Sequence, residues 1–161
     1  RDKWLSEGGV ILPDYITLNL VAIEDEEYKK EKIDFWDNVY GFNMKCIKDM
    51  AIKEPLVDVV EAKQICTDAY SLRTVDVSVY KVDDCTFSAP FVLTAQRNDY
   101  VHALVASFDT FFNKGHKPVS FSTSAEAEQT HWKQTVFYLD QELVVCEGEQ
   151  IRGTLTCKPN A

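Results

Sequence analysis

The residues best equipped for chemistry lie in Phe121–Phe137, FSTSAEAEQTHWKQTVF, at the consecutive triplet Thr130-His131-Trp132. A histidine between a hydroxyl and an indole joins a group that titrates near neutrality to a flat apolar wall. Thr123-Ser124-Ala125-Glu126 fits an ST-x-x-E capping box, which predicts a short helical turn ahead of the triplet. Gln134–Leu139 alternates as a strand. The triplet is therefore expected at a helix-to-strand junction, where scaffolds hold functional side chains. On residue types alone, the plainer reading is a satisfied structural histidine next to a core tryptophan.

The other reactive residue types assemble nothing comparable. Acids cluster at Glu24 to Glu27, Glu126/Glu128 and Glu147/Glu149, in a polar excursion, a turn and a hairpin tip where carboxylates are solvated. His102 falls within a long strand pattern and His116 beside Gly115 at a turn; neither supports a functional role. Five cysteines, at 46, 66, 85, 146 and 157, form no CxxC and are odd in number, which predicts reduced, buried thiols in an intracellular protein. They and three isolated histidines give no tetrahedral set, so no metal site is expected. No GxGxxG, P-loop, GxSxG or HExxH occurs. The net charge of −9 predicts repulsion of nucleic acid and anionic membrane and attraction of basic partners. No apolar run approaches the roughly 20 residues of a membrane helix, and RDKWLSEGG lacks a signal-peptide core.

The elements that must position the triplet follow from periodicity. The 161 residues suit one domain, spanning 1–161. Arg1–Leu5 reads as the tail of a helix stopped by Gly8-Gly9, as expected of a chain that starts inside a longer protein. Tyr15–Ile23 alternates as a half-buried strand. Residues 24–54 break the pattern: Ile33, Trp36 and Tyr40 follow i, i+3, i+7 spacing, and Met44, Ile47 and Ala51 suggest a second short helix ended by Pro55. Strands are expected near 56–60, 71–82, 91–96, 100–112, 134–139, 143–146 and 151–158. Tyr100–Phe112 is apolar on both faces, which implies a central strand or one crossing between sheets. The sum is a mainly β chain, an antiparallel barrel or sandwich with a two-helix insertion.

The triplet and the block FWDNVYGFNMKCIKDMAIKEPLVDVV (Phe35–Val60) together resemble type I protein arginine methyltransferases, across essentially the whole chain. The resemblance implies the carboxy-terminal β-barrel half of such an enzyme, expected to stop short of the family's last strands, with residues 24–54 as the dimerisation arm. In that family, methyl passes from S-adenosylmethionine to protein arginine, giving mono- and asymmetric dimethylarginine. The cofactor and two catalytic glutamates belong to a half this chain lacks, so the chain alone is expected to be inactive. By resemblance, His131 is a second catalytic contributor, and Thr130 and Trp132 line the substrate pocket. Phe35, Tyr40 and Met44 anchor a homodimer, with Phe35 standing where better-known members carry tryptophan. Arginine/glycine-rich protein substrates and a cytoplasmic or nuclear location are implied as well. The competing class is a non-catalytic acidic β-barrel module that captures basic peptides.

Overall fold

The computed structural model describes residues 1–160. Eight strands follow in order: β1 (Tyr15–Ile23), β2 (Leu56–Asp58), β3 (Tyr70–Asp76), β4 (Phe87–Thr94), β5 (Asp99–Phe112), β6 (Val119–Ser122), β7 (Gln134–Val145) and β8 (Gln150–Cys157). Two helices, α1 (Glu26–Lys32) and α2 (Lys45–Ala51), lie between β1 and β2. One sheet runs β2-β7-β5-β1-β3, with β6 added to the far end of β5; β4 and β8 form a separate ribbon. Every strand pair is antiparallel. The mainly β, barrel-like architecture with a helical insertion agrees with the sequence reading.

At 14 residues β5 is the longest strand, held by β1 on one side and by β7 and β6 on the other. Both of its faces are buried. Leu20, Ala22, Leu72, Phe91, Leu93, Val101 and Val145 pack between the sheet and the β4–β8 ribbon. Ile23, Val60, Ala103, Val105 and Val136 form a second cluster on the opposite face. Val101 and Ala103 would share a face in a regular strand. The register against β7 slips between them, from Val101↔Leu143 to Ala103↔Tyr138. This bulge turns the strand over and pushes Asp140–Glu142 out to solvent. The two strands expected at 134–139 and 143–146 are thus one strand bent at a bulge.

Other boundaries moved for local reasons. β3 ends at Asp76, short of the expected 82, because the Asp76 carboxylate accepts the Ser78 N–H at 2.8 Å and its carbonyl accepts the Tyr80 N–H at 3.0 Å. That turn outcompetes the Val75/Val77/Val79 alternation. β6, four residues of VSFS, carried no pattern long enough to read. The capping box at Thr123 does not form. Its Oγ1 is spent on β5, accepting the Phe108 N–H and donating to the Phe108 carbonyl, both at 2.9 Å, and residues 124–130 are non-helical. Of the five thiols only Cys66 is buried, and burial pushes it up to about 11; Cys46, Cys146 and Cys157 are exposed, against expectation.

The ribbon depends on one glycine. A Cβ at Gly153 of β8 would sit 2.5 Å from the ring of buried Phe91. Gly153→Ala is expected to cost about 1–3 kcal/mol by overpacking. At this chain length, thermal melting should register it as a drop of about 2–4 °C per kcal/mol.

Candidate functional site: a histidine–tryptophan loop and an exposed arm

The triplet sits in the connection between β6 and β7. Thr110 of β5 faces Phe121 of β6 across the ladder, so Phe108, Thr110 and Phe121 share one side of the sheet. Trp132 lies on that surface, stacked on Phe121 (5.4 Å, 17°) and edge-on to Phe108 (5.9 Å, 79°). The indole remains 48% exposed, so it is a shelf at the end of the core rather than core filler. His131 is exposed, its ring centroid 3.9 Å from that of Trp132. The imidazole is therefore presented on an aromatic base with its polar edge open to solvent. Thr130 Oγ1 is buried and has no hydrogen-bond partner among the described residues. The triplet turns back tightly: Lys133 N–H donates to Thr130 O at 3.2 Å, and Lys133 takes a left-handed φ of 53°.

The excursion between β1 and β2 is organised by polar contacts and leaves its aromatics outside. Lys48 bridges Asp34 (2.8 Å) and Asp37 (2.7 Å), which holds the Asp37 carboxyl below its usual range. Phe35 is exposed and packs edge-on to Trp36 at 5.4 Å. Tyr40 departs from the expected helix. The chain leaves the 3-10 turn at Asp37 and closes a two-residue turn in which Val39 and Phe42 exchange backbone hydrogen bonds. Asn38 Oδ1 accepts the Gly41 N–H at 2.8 Å, and φ is 51° at Tyr40 and 93° at Gly41. Positive φ at both central positions defines the tight hairpin turn that breaks a helix. Tyr40 is thereby thrust out, 92% exposed, beside Phe42 at 73%; Met44 is half-buried at the start of α2.

A cleft of about 430 Å³ separates the root of α1 from β2 and β7. It is lined by the run Glu24 to Glu27, by Glu31, Asp58 and Glu61, and by Tyr28 and Tyr138, whose rings stack at 6.0 Å. Asp25 accepts the Tyr138 hydroxyl at 2.5 Å and Gln64 Nε2 at 2.9 Å, yet burial raises its pKa above the usual carboxylate range. A raised folded-state pKa means that charged Asp25 opposes folding at neutral pH. The penalty shrinks as pH falls through the folded value and is gone below the unfolded one. Asp25→Asn is therefore expected to be slightly stabilising at pH 7, by under about 1 kcal/mol given its partial exposure, and neutral in acid. Urea unfolding midpoints measured across pH check the sign.

Sequence reasoning brought the histidine and tryptophan to one place and missed what anchors them. Gln134 and Thr123 are 4% and 1% exposed; Gln134 Nε2 donates to Thr123 O, and Thr123 Oγ1 bonds to Phe108 of β5. The available signal was a polar residue on the inward face of Gln134, Val136 and Tyr138. His102 is buried at the bulge, its Nδ1 accepting the Asp25 N–H at 3.1 Å, which is a structural use.

A barrel-like β subdomain with a projecting aromatic arm and a His-Trp shelf is a chain shaped to associate. The model of the arginine methyltransferase oligomerization subdomain matches residues 14–161. Protein arginine N-methyltransferase 1 of Chlamydomonas reinhardtii is 60% identical over 161 residues, covering 100% of this chain and 47% of that protein. Protein arginine N-methyltransferase 1.1 of Arabidopsis thaliana is 58% identical, covering 99% and 41%. A solved Trypanosoma brucei PRMT1 enzyme–prozyme heterotetrameric complex with AdoHcy superposes at a TM-score of 0.93 and 38% identity, over 97% of this chain and 50% of that one. This chain belongs to the arginine methyltransferase oligomerization subdomain family. It spans less than half the length of the curated relatives it matches.

Proposed function

We propose that this chain is the substrate-side and dimer-forming barrel of a type I protein arginine methyltransferase, making mono- and asymmetric dimethylarginine. The observation that carries the reading is the open His131–Trp132 shelf, an exposed imidazole held on an indole that itself stacks on Phe121. A guanidinium is protonated at every physiological pH and planar, so a flat indole beside it can wall off water and confine the side chain. His131 accepts or relays a proton near the reacting nitrogen, and Thr130 and Trp132 shape the pocket. Phe35, Tyr40 and Met44 anchor the 24–54 arm on a second subunit. The net charge of −9 draws in arginine/glycine-rich segments. Such a protein works in the cytoplasm or nucleus.

S-adenosylmethionine does not fit this chain. The two larger clefts are rich in carboxylates and contain no glycine-rich turn, and the more apolar trough is only about 170 Å³. On the resemblance, the cofactor and the two catalytic glutamates are assigned to residues outside this chain. The test is methyl transfer by the full-length protein to an arginine/glycine-rich peptide, with product analysis. Asymmetric dimethylarginine is expected, whereas symmetric product or none overturns the reading, and the chain alone should give no turnover. The acid-lined cleft favours a second reading, a non-catalytic module for basic peptides, which predicts peptide binding without transfer by the full-length protein.

A further inference from the structure

We propose that Gln134 is the positioning residue of the His131–Trp132 loop, joining that loop to the strand on which the arm returns; its role in turnover rests on the proposed function. Gln134 opens β7 two residues after Trp132, and both polar atoms of its buried amide have a partner. Oε1 accepts the Val60 N–H at 2.8 Å, and Nε2 donates to Thr123 O at 2.7 Å. Thr123 is itself pinned to β5, its N–H and Oγ1 both donating to Phe108 O and its Oγ1 accepting the Phe108 N–H. One side chain thus closes the segment from 123 to 134 at both ends.

The same amide reaches the arm. β2, the strand after α2, pairs with β7 so that Asp58 faces Gln134, and Val60 lies two residues further on. Lys133 adds a second tie, its Nζ 2.9 Å from Asp58 Oδ1. Residues 133 and 134 therefore bind the arm's return strand on one side, while 131 and 132 present the imidazole and indole on the other. A glutamine is suited to this because it donates and accepts at once; an aliphatic side chain does neither, and an ionised glutamate only accepts. The alternation of β7 calls for an apolar residue at this inward position, which makes the polar choice informative.

Incorporating 5-fluorotryptophan into the full-length protein gives a local readout, the Trp132 signal being the one lost in Trp132→Phe. In Gln134→Leu the Trp132 line is expected to move or broaden while those of Trp4 and Trp36 hold. Turnover on an arginine peptide should fall by about 10- to 100-fold, the scale expected of a small misplacement, with the KM for the methyl donor unchanged. An unmoved Trp132 line overturns the proposal. If Gln134→Leu does not fold, Gln134→Glu decides. It keeps the bond from Val60 and loses the donor to Thr123 until acid protonates it, so the line should shift at neutral pH and recover in acid; a line unmoved throughout overturns the proposal. Failure of the functional reading looks different, because His131→Ala would then leave methyl transfer intact while the Trp132 line still answered to Gln134.

Discussion

Tyr40→Ala in the full-length protein is expected to shift the species in solution from dimer to monomer and to depress activity in parallel. The side chain is 92% exposed at the tip of a turn whose backbone closes through Val39 and Phe42, so it adds little to packing among the described residues. A large exposed aromatic at positive φ is costly in solvent, and docking in a partner's pocket, as proposed for the arm, would offset that cost. An aromatic anchor of this kind is worth about 2–4 kcal/mol on truncation, a rise of about 30- to 1000-fold in the dissociation constant. Alanine has the same backbone limits as tyrosine, so the turn should persist and the unfolding midpoint should stay within about 0.5 kcal/mol. Sedimentation over a concentration series reads the first effect and denaturant unfolding the second. Activity should return at high protein concentration, since mass action refills the dimer. A variant that stays dimeric at every concentration ends the claim that this tip makes the contact.

The fold was legible where burial imposes one pattern over many residues. β1 was read with both ends correct because Ile16, Leu18, Leu20 and Ala22 recur on one face, and β5 was read as central because both of its faces are apolar. Reading failed where a side chain competes with the backbone. Asp76 stops β3 by accepting two-residue-distant groups, and Asn38 with Gly41 breaks the helical spacing that pointed through Tyr40. Thr123 satisfied a local capping motif on paper but found its partner on Phe108, 15 residues earlier. The site divides in the same way. His131 and Trp132 are adjacent in sequence, so their stacking needed no tertiary knowledge. The clamp of Gln134 on Val60 spans 74 residues, and no spacing rule reaches that far. The bulge opposite His102 was invisible for a related reason: it is a property of the β5–β7 register, and neither strand alone encodes it.

His131→Ala should lower kcat for methyl transfer by about 10²-fold, near the lower end of what a positioned acid–base group supplies. The larger losses typical of a sole base are not expected, because the resemblance places the main carboxylates outside this chain. The structure separates chemistry from folding here. His131 is exposed, and among the described residues its ring contact is with Trp132, so unfolding midpoints should move by no more than about 0.5 kcal/mol. Trp132→Ala should behave differently. It removes the stack on Phe121 and the edge contact to Phe108, costing stability as well as turnover, with aromatic pairs worth about 0.5–1.5 kcal/mol beyond the buried area. The pH profile divides proton transfer from mere packing. If the imidazole moves a proton, His131→Ala should change the shape of the pH profile of kcat and not only its height. If it only packs on the indole, His131→Phe should keep both the stack and most of the rate. Near-wild-type turnover in His131→Phe would therefore remove His131 from the chemistry and leave Trp132 as the functional member of the triplet.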